Sequence, residues 1–435
     1  MKYKQYPSYK DSGVEWLGEL PSEWNIVRNK QAFRFIKSLV GKKSKEYTLL
    51  SLTLQGIKVR DIESGKGKFP AEFDTYQVVE DKDIIFCLFD IDETPRTVGL
   101  SGHNGMITGA YNVARCNTKT VPEYMYYYYL SIDEYKGLKP FYTGLRKVVR
   151  TETFMNIQLG LPPLQEQQQI ANFLDTATAK IDTLIAKQER LIELLKEKRQ
   201  AVISHAVTKG IDPDVKMKDS GVEWLGEIPE HWSVWKFLHF APIITCGLAS
   251  TPTYVDEGIP FLSAQNIQNG QLSLHKYNYI PEDLHLQLTK NRKPEKGDLL
   301  VTRVGASIGA ACVLDIDMEF SIYVSLSQIR LNQSIAISTY IKYFLGSNYC
   351  SMLNTLGTEQ GGGVGNLNVK NVERYKVPLP GLKEQQAITA YLDDKTSKID
   401  SLVSKATKSI ELLKEKRTAL ISAAVTGKID VRDVA

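Results

Sequence analysis

Two stretches of this chain place apolar residues at alternating steps of four and three. In the first, apolar or small residues fall at Ile170, Leu174, Ala177, Ile181 and Leu184, and the steps continue through Gln188, Leu191, Leu195, Lys198 and Val202. In the second they fall at Ile388, Leu392, Lys395, Ile399, Leu402, Ala406, Ser409, Leu413, Lys416 and Leu420. A repeat of roughly 3.5 residues sustained over several heptads is the seam of a coiled coil. Each stretch is introduced by proline (Pro162 and Pro163; Pro380) and carries a glutamate, Glu166 or Glu384, in its first turn. Those are favoured residues at a helix N-terminus. Lys198, Arg199, Lys416 and Arg417 fall toward the far ends, and Gly210 and Gly427 mark the exits, as helix C-termini prefer. Each helix is predicted to run about 44 residues, or about 65 Å.

One such helix alone would leave a long apolar stripe in water. Two in one chain can cover each other, and the large insert between them lets the second return antiparallel, with one globular insert at each end. The expected interface comprises Ile170, Leu174, Ile181, Leu184, Leu191, Leu195, Ile388, Leu392, Ile399, Leu402, Leu413 and Leu420. Gln188, Lys198, Ser409 and Lys416 stand at seam steps. They read as local tolerance near helix ends; specification of register is the alternative.

The pattern is duplicated. KDSGVEWLGE at residues 10–19 recurs letter for letter at 218–227, an offset of 208, and the match continues through Leu20/Ile228, Pro21/Pro229 and Trp24/Trp232. The helical stretches at 162–212 and 380–430 match at an offset of 218, with ELLKEKR at 193–199 identical to 411–417. Residues 25–160 and 233–376 barely agree with each other. Matched scaffolds with unmatched inserts describe one frame presenting two different heads, although duplication kept for stability alone is the bland alternative. The first helix runs straight into the second arm, whereas the second helix ends at the C-terminus and its matching arm is the N-terminus. A pseudo-twofold fold therefore predicts that the termini lie close together. The two ELLKEKR segments offer equivalent charged faces, suited to two copies of one partner or simply to water.

The inserts mix strand-like runs (Tyr47–Leu54, Asp83–Leu88, Asp298–Val304, Ser321–Leu331) with helical ones (Tyr124–Leu130, Thr339–Leu345). The expected class is α+β: two globular α/β-type domains separated by two long antiparallel helices forming a coiled coil, with a pseudo-twofold internal repeat. The boundaries read as an arm at 1–24, a first domain at 25–160, a helix at 161–212, a second arm at 213–232, a second domain at 233–376, and a helix with its tail at 377–435.

Charge sharpens the picture slightly. The formal net charge is +4, which permits nucleic-acid binding without requiring it. Residues 25–160 hold 20 basic and 15 acidic side chains, residues 233–376 hold 12 and 11, and residues 161–208 hold six of each. The basic excess therefore sits on the globular regions. The five cysteines are scattered without CxxC spacing, which points to reduced thiols in a cytoplasmic protein and to no metal site. The N-terminus lacks the apolar run of a signal peptide, and no stretch has the roughly 18 apolar residues of a membrane span.

Each insert ends in a distinctive loop ahead of its long helix. TGLRKVVRTETFMNI at 143–157 brings Arg146, Lys147 and Arg150; GTEQGGGVGNLNVKNV at 357–372 brings Gln360, Asn366, Asn368, Lys370 and Asn371. Arg suits guanine, Asn and Gln suit adenine, and Lys suits phosphate, so these loops are candidate DNA contacts. Gln265 and Asn266 of IPFLSAQNIQNG (259–270) and Arg303 of GDLLVTRVGASIG join them. An ordinary mobile loop is the competing reading for any single residue. No phosphate loop or methyltransferase-type tetrapeptide is present, and no Asp, Glu or His spacing argues for catalysis.

On the repeated arm, the PPLQEQQQI and PGLKEQQAI helix starts, the LLKEKR helices, the AVTKGID and AVTGKID ends, and NIQNG with GDLLVTRVGASIG in the second insert, the chain resembles the specificity subunit of type I restriction-modification systems. The resemblance covers nearly the whole chain. It implies two target recognition domains, one per half of a bipartite site in double-stranded DNA, with the helices as spacer. It implies two modification (methyltransferase) subunits carrying S-adenosylmethionine chemistry, restriction subunits using ATP and Mg, and no catalysis, cofactor or metal on this chain. The first insert departs most from the pattern, lacking a clear NIQNG or GASIG. A stand-alone nuclease or methyltransferase of unfamiliar motif, and a coiled-coil adaptor without a DNA role, are the alternatives.

Overall fold

The computed structural model describes residues 3–61, 72–305, 307–356, 358–361 and 364–433, with the side chains of 358–361, 364 and 365 left aside. The chain divides into two compact units, Met1–Gln188 with Lys408–Ala435, and Glu189–Thr407. This division differs from the six consecutive segments that the sequence suggests. Each unit takes one arm, one globular domain and half of each long helix. The long helices are Leu164–Lys209, with 46 residues, and Leu382–Val425, with 44.

In the first unit a four-stranded antiparallel sheet runs Phe33–Ile36, Asn112–Cys116, Ile84–Phe86, Val98–Leu100. In the second unit the order is Ile243–Cys246, Leu326–Arg330, Leu299–Thr302, Ala311–Val313. The two inserts thus share one sheet design despite their unlike sequences. Both sheets are pinned by the same device: Arg115 grips Asp83 at 2.8 Å, and Arg330 grips Asp298 at 2.8 Å, each aspartate being buried. Chain enters and leaves each domain through a two-stranded ribbon, Asn25–Arg28 with Gln158–Leu161 and Ser233–Lys236 with Lys376–Leu379. The sheets carry a helix, Pro122–Glu134 or Ser338–Leu345.

The long helices run antiparallel. In the first unit Asp182 of the first helix bonds Arg417 of the second at 2.9 Å, and Ile170, Leu174 and Ile181 share a core with Leu420, Ile421, Ala424 and Val425. In the second unit Arg199 bonds Asp400 at 3.1 Å, and Ile203, Ala206 and Val207 share a core with Ile388 and Leu392.

The seam is shifted from the expected one. Leu184, Leu191 and Leu402 stand 47%, 43% and 49% exposed, and Lys198 and Lys416 are also in water. The covered line is Ile170, Leu174, Thr178, Ile181, Ile185, Gln188, Ile192, Leu195, Arg199, Ile203; its partner is Ile388, Leu392, Thr396, Ile399, Val403, Ala406, Ile410, Leu413, Arg417, Leu420. Each begins with two steps of four before the alternation sets in, an insertion of the kind that rephases a coiled coil. A threonine fills the extra step in both helices. Its hydroxyl is satisfied by the carbonyl one turn back, Thr178 on Leu174 and Thr396 on Leu392, both at 2.7 Å.

The segments near the two ends of the chain meet, as the repeat predicts. The Asp430 amide donates to the Lys4 carbonyl at 2.8 Å, and the Tyr9 hydroxyl donates to the Gly427 carbonyl at 3.1 Å. Lys4 and Asp430 are both counterparts of Asp212 under the two repeat offsets, so two separate segments pair in one half at the place that a single segment occupies in the other.

Candidate nucleic-acid interface

Each domain is seated on its helices through a socket that is the same in both units. Tyr127 donates to Asp175 at 2.7 Å and lies 3.3 Å from Thr178; Tyr343 donates to Asp393 at 2.6 Å and lies 3.3 Å from Thr396. The inserted threonines of the seam are therefore where the domains dock. Gln167 accepts from the Val121 amide and donates to the Pro162 carbonyl, both at 2.9 Å; Gln385 accepts from the Ile337 amide at 2.8 Å and donates to the Pro380 and Ile335 carbonyls, both at 2.9 Å. Tyr124 bonds the Gly160 and Val425 carbonyls, and Tyr340 bonds the Pro378 and Val207 carbonyls.

Beneath each socket an arm tryptophan is wholly buried. Trp24 donates to Glu166 at 2.9 Å and Trp232 donates to Glu384 at 3.0 Å. Glu166 also accepts from Tyr6 at 2.6 Å, and Glu384 meets the His231 ring at 2.8 Å. A carboxylate brought into a protein interior needs such partners. The sequence suggests Glu166 and Glu384 as helix-start anions; their bond to an indole is a role that the helix pattern does not reveal. Its signal is the recurrence of an arm tryptophan and an EQ dipeptide in both copies.

What the domains present above these sockets is unlike. In the first domain, Thr143 and Val148 close a tight turn with two main-chain bonds of 3.0 and 3.1 Å. Arg146 stacks its guanidinium 5.6 Å from the Phe89 ring and reaches Asp90 at 3.5 Å. Lys147 lies 3.2 Å from Asp92 and 3.3 Å from Glu93, and these bonds, first to Asp92, hold its ammonium above the usual lysine range. Arg150 is exposed at the N-cap of helix Thr151–Asn156, with no ion pair among the described residues. Of the three expected cations, Arg150 is the one least engaged within the domain.

In the second domain two candidates are corrected. Asn266 is buried, accepts from the Ser263 amide, and donates to the Ser273 and Lys276 carbonyls, all at 2.9 Å. Its amide is spent on holding a hairpin. Arg303 is buried and donates to the Leu367 carbonyl at 2.9 Å and the Val324 carbonyl at 3.0 Å. It latches the loop to the sheet rather than facing a groove. Asn368 caps helix Val369–Glu373 by accepting from the Lys370 amide, and Lys370 reaches Glu373 at 3.1 Å. Gln265 and Asn366 are exposed. Gln360 stands on strand Thr358–Gly361, and its side chain lies outside the described residues.

A constant socket bearing variable loops is what interchangeable recognition domains require, and the family comparison decides the matter. The model of the type I restriction modification DNA specificity domain matches residues 97–194 and 229–412. This chain belongs to that family. The matched spans of the specificity family include both loops, both docking helices and much of the long helices. The type I restriction enzyme MjaVIII specificity subunit of Methanocaldococcus jannaschii is 24% identical over 440 residues, spanning 98% of both chains. The EcoBI specificity subunit of Escherichia coli is 27% identical over 292 residues, 65% of this chain and 60% of that one. Among solved structures, a chain from a study of assembly and conformational transition of a type I R-M system aligns with a TM-score of 0.71 at 17% identity, over 93% of this chain and 98% of that one. The HsdS subunit of Thermoanaerobacter tengcongensis aligns with a TM-score of 0.54 at 18% identity, over 94% and 98%. These likenesses establish the fold. No helix among the described residues is long and apolar enough to cross a membrane.

Proposed function

We propose that this chain is the non-catalytic DNA-reading subunit of a cytoplasmic type I restriction-modification complex, and that each globular domain reads one half of a bipartite duplex site. The observation that carries the reading is the contrast between Tyr127, Gln167 and Trp24 with their counterparts Tyr343, Gln385 and Trp232, on one side, and the unlike loops at 143–150 and 358–370 on the other. A fixed seat with altered loops keeps geometry constant while changing the bases contacted. Hydrogen bonds to base edges specify sequence, and phosphate contacts set position and make binding salt-dependent.

Two modification subunits dock on the repeated segments of the chain, bring S-adenosylmethionine, and flip an adenine in each half, which requires a duplex held in place. Restriction subunits bring ATP and Mg. The residues of this chain position the duplex and supply no reacting group. Methylome sequencing of cells carrying the chain with its partners tests the reading. The expected motif has two short specified halves separated by unread base pairs. A contiguous motif, or methylation that needs no partner, refutes it.

A further inference from the structure

Leu145 has the most exposed large apolar side chain among the described residues, at 103% of its reference value; the next, Leu356, stands at 69%. Leucine at such a position gains nothing from folding, since apolar stabilisation comes from area removed from water. The exposure is built by its surroundings. Gly144 at φ +75° and Lys147 at φ +45° bend the turn through the left-handed region, where a lysine is uncommon. The Asp90 amide donates to the Arg146 carbonyl at 2.9 Å, and the Val149 amide to the Leu88 carbonyl at 2.8 Å. The two cations that follow the leucine are tethered to the domain, Arg146 by Phe89 and Asp90, Lys147 by Asp92 and Glu93. Arg146 keeps 74% of its side chain in water while tethered, and the leucine projects beside it as the one large apolar group of the turn left fully exposed.

We propose that Leu145 is a specificity-determining contact of the first domain, pressing its apolar side chain against bases of the half-site rather than against phosphate. The inference rests on the DNA-reading function above. The turn lies inside the span that matches the DNA specificity family. Arg150, exposed beyond the turn, supplies a cation for the phosphates beside such a contact. Apolar side chains touch thymine methyl groups or wedge between base steps in other DNA readers. A tethered tip with a projecting leucine fits that task better than it fits a protein interface, whose energetic anchors are mostly Trp, Tyr and Arg and seldom leucine.

The test uses the full chain assembled with its partner subunits, a duplex carrying the motif read from the methylome, and a scrambled duplex of equal length. Leu145→Ala is expected to weaken binding to the motif duplex by about tenfold, to leave the scrambled duplex and the salt slope unchanged, and to relax methylation at one half of the motif only. Leu145→Met is expected to restore most of the loss. Equal weakening on both duplexes, no weakening on either, or loss of the partner subunits with DNA affinity intact overturns the proposal. If the wild-type complex itself fails to prefer its motif duplex over the scrambled one, the DNA-reading function fails instead.

Discussion

In the first unit Tyr127 reaches its aspartate at 2.7 Å, and in the second Tyr343 does so at 2.6 Å. Some residues away, one domain offers a short cationic turn tipped by leucine and the other a two-stranded hairpin, Thr358–Gly361 with Val364–Leu367, followed by an asparagine-capped helix. The bonds that seat each domain agree to a few tenths of an ångström while the outer loops share neither length nor chemistry. The two inserts, unlike in sequence throughout, converge on one sheet and one seat and part in the structure of these loops. This is the expected signature when folding fixes one set of residues and an external ligand selects the other.

The largest losses are expected at the arm tryptophans. Trp24→Ala and Trp232→Ala each remove a wholly buried ring and take a hydrogen-bond donor from a glutamate. Each is expected to cost about 3–5 kcal/mol, and denaturant unfolding of the two variants should give matching losses. Leu174→Ala on the covered seam is expected to cost about 2–5 kcal/mol. Leu184→Ser, although the heptad pattern puts that residue on the seam, is expected to stay within about 0.5 kcal/mol of wild type; thermal unfolding of the pair checks the rephased register. Arg115→Ala and Arg330→Ala leave Asp83 and Asp298 buried without a guanidinium, each keeping only neutral donors, the Glu80 amide or the Glu295 amide and Gln328. Each should lose about 2–3 kcal/mol, similar in the two units.

A smaller effect separates the units. His285 of the second domain is buried with its ring nitrogen 2.9 Å from Ser321, and burial holds its pKa below the usual imidazole value. The unfolded chain accepts a proton near pH 6.5 that the folded domain resists. This group's contribution is therefore present above that pH and lost as pH falls below it. Unfolding from pH 7.5 to 5.5 should show a decline that His285→Gln reduces.

Much of this architecture is legible in the chain. The long helices, their antiparallel return, the repeated arms and the meeting of the termini follow from the heptad pattern and the two offsets. The register of the seam does not, because the inserted residues are Thr178 and Thr396, which an apolar count passes over; only their contacts with Tyr127 and Tyr343 give them their place. The common sheet is hidden because strands such as Ile84–Phe86 and Leu299–Thr302 are buried on both faces and show no alternation. Asn266 and Arg303 carry the right chemistry for bases, but burial spends it inside the domain. Leu145 escapes notice because a leucine in a sequence reads as core until its exposure is seen.

In this molecule a fixed seat carries an exchangeable reading head. Replacing residues 233–376 with the corresponding domain of another family member, cut within the ribbon strands Ser233–Lys236 and Lys376–Leu379, and sequencing the methylome of cells bearing the hybrid with its partners tests this directly. The hybrid is expected to methylate a motif in which one half is new and the other half and the gap are unchanged. A motif altered in both halves, or unaltered in either, contradicts the account.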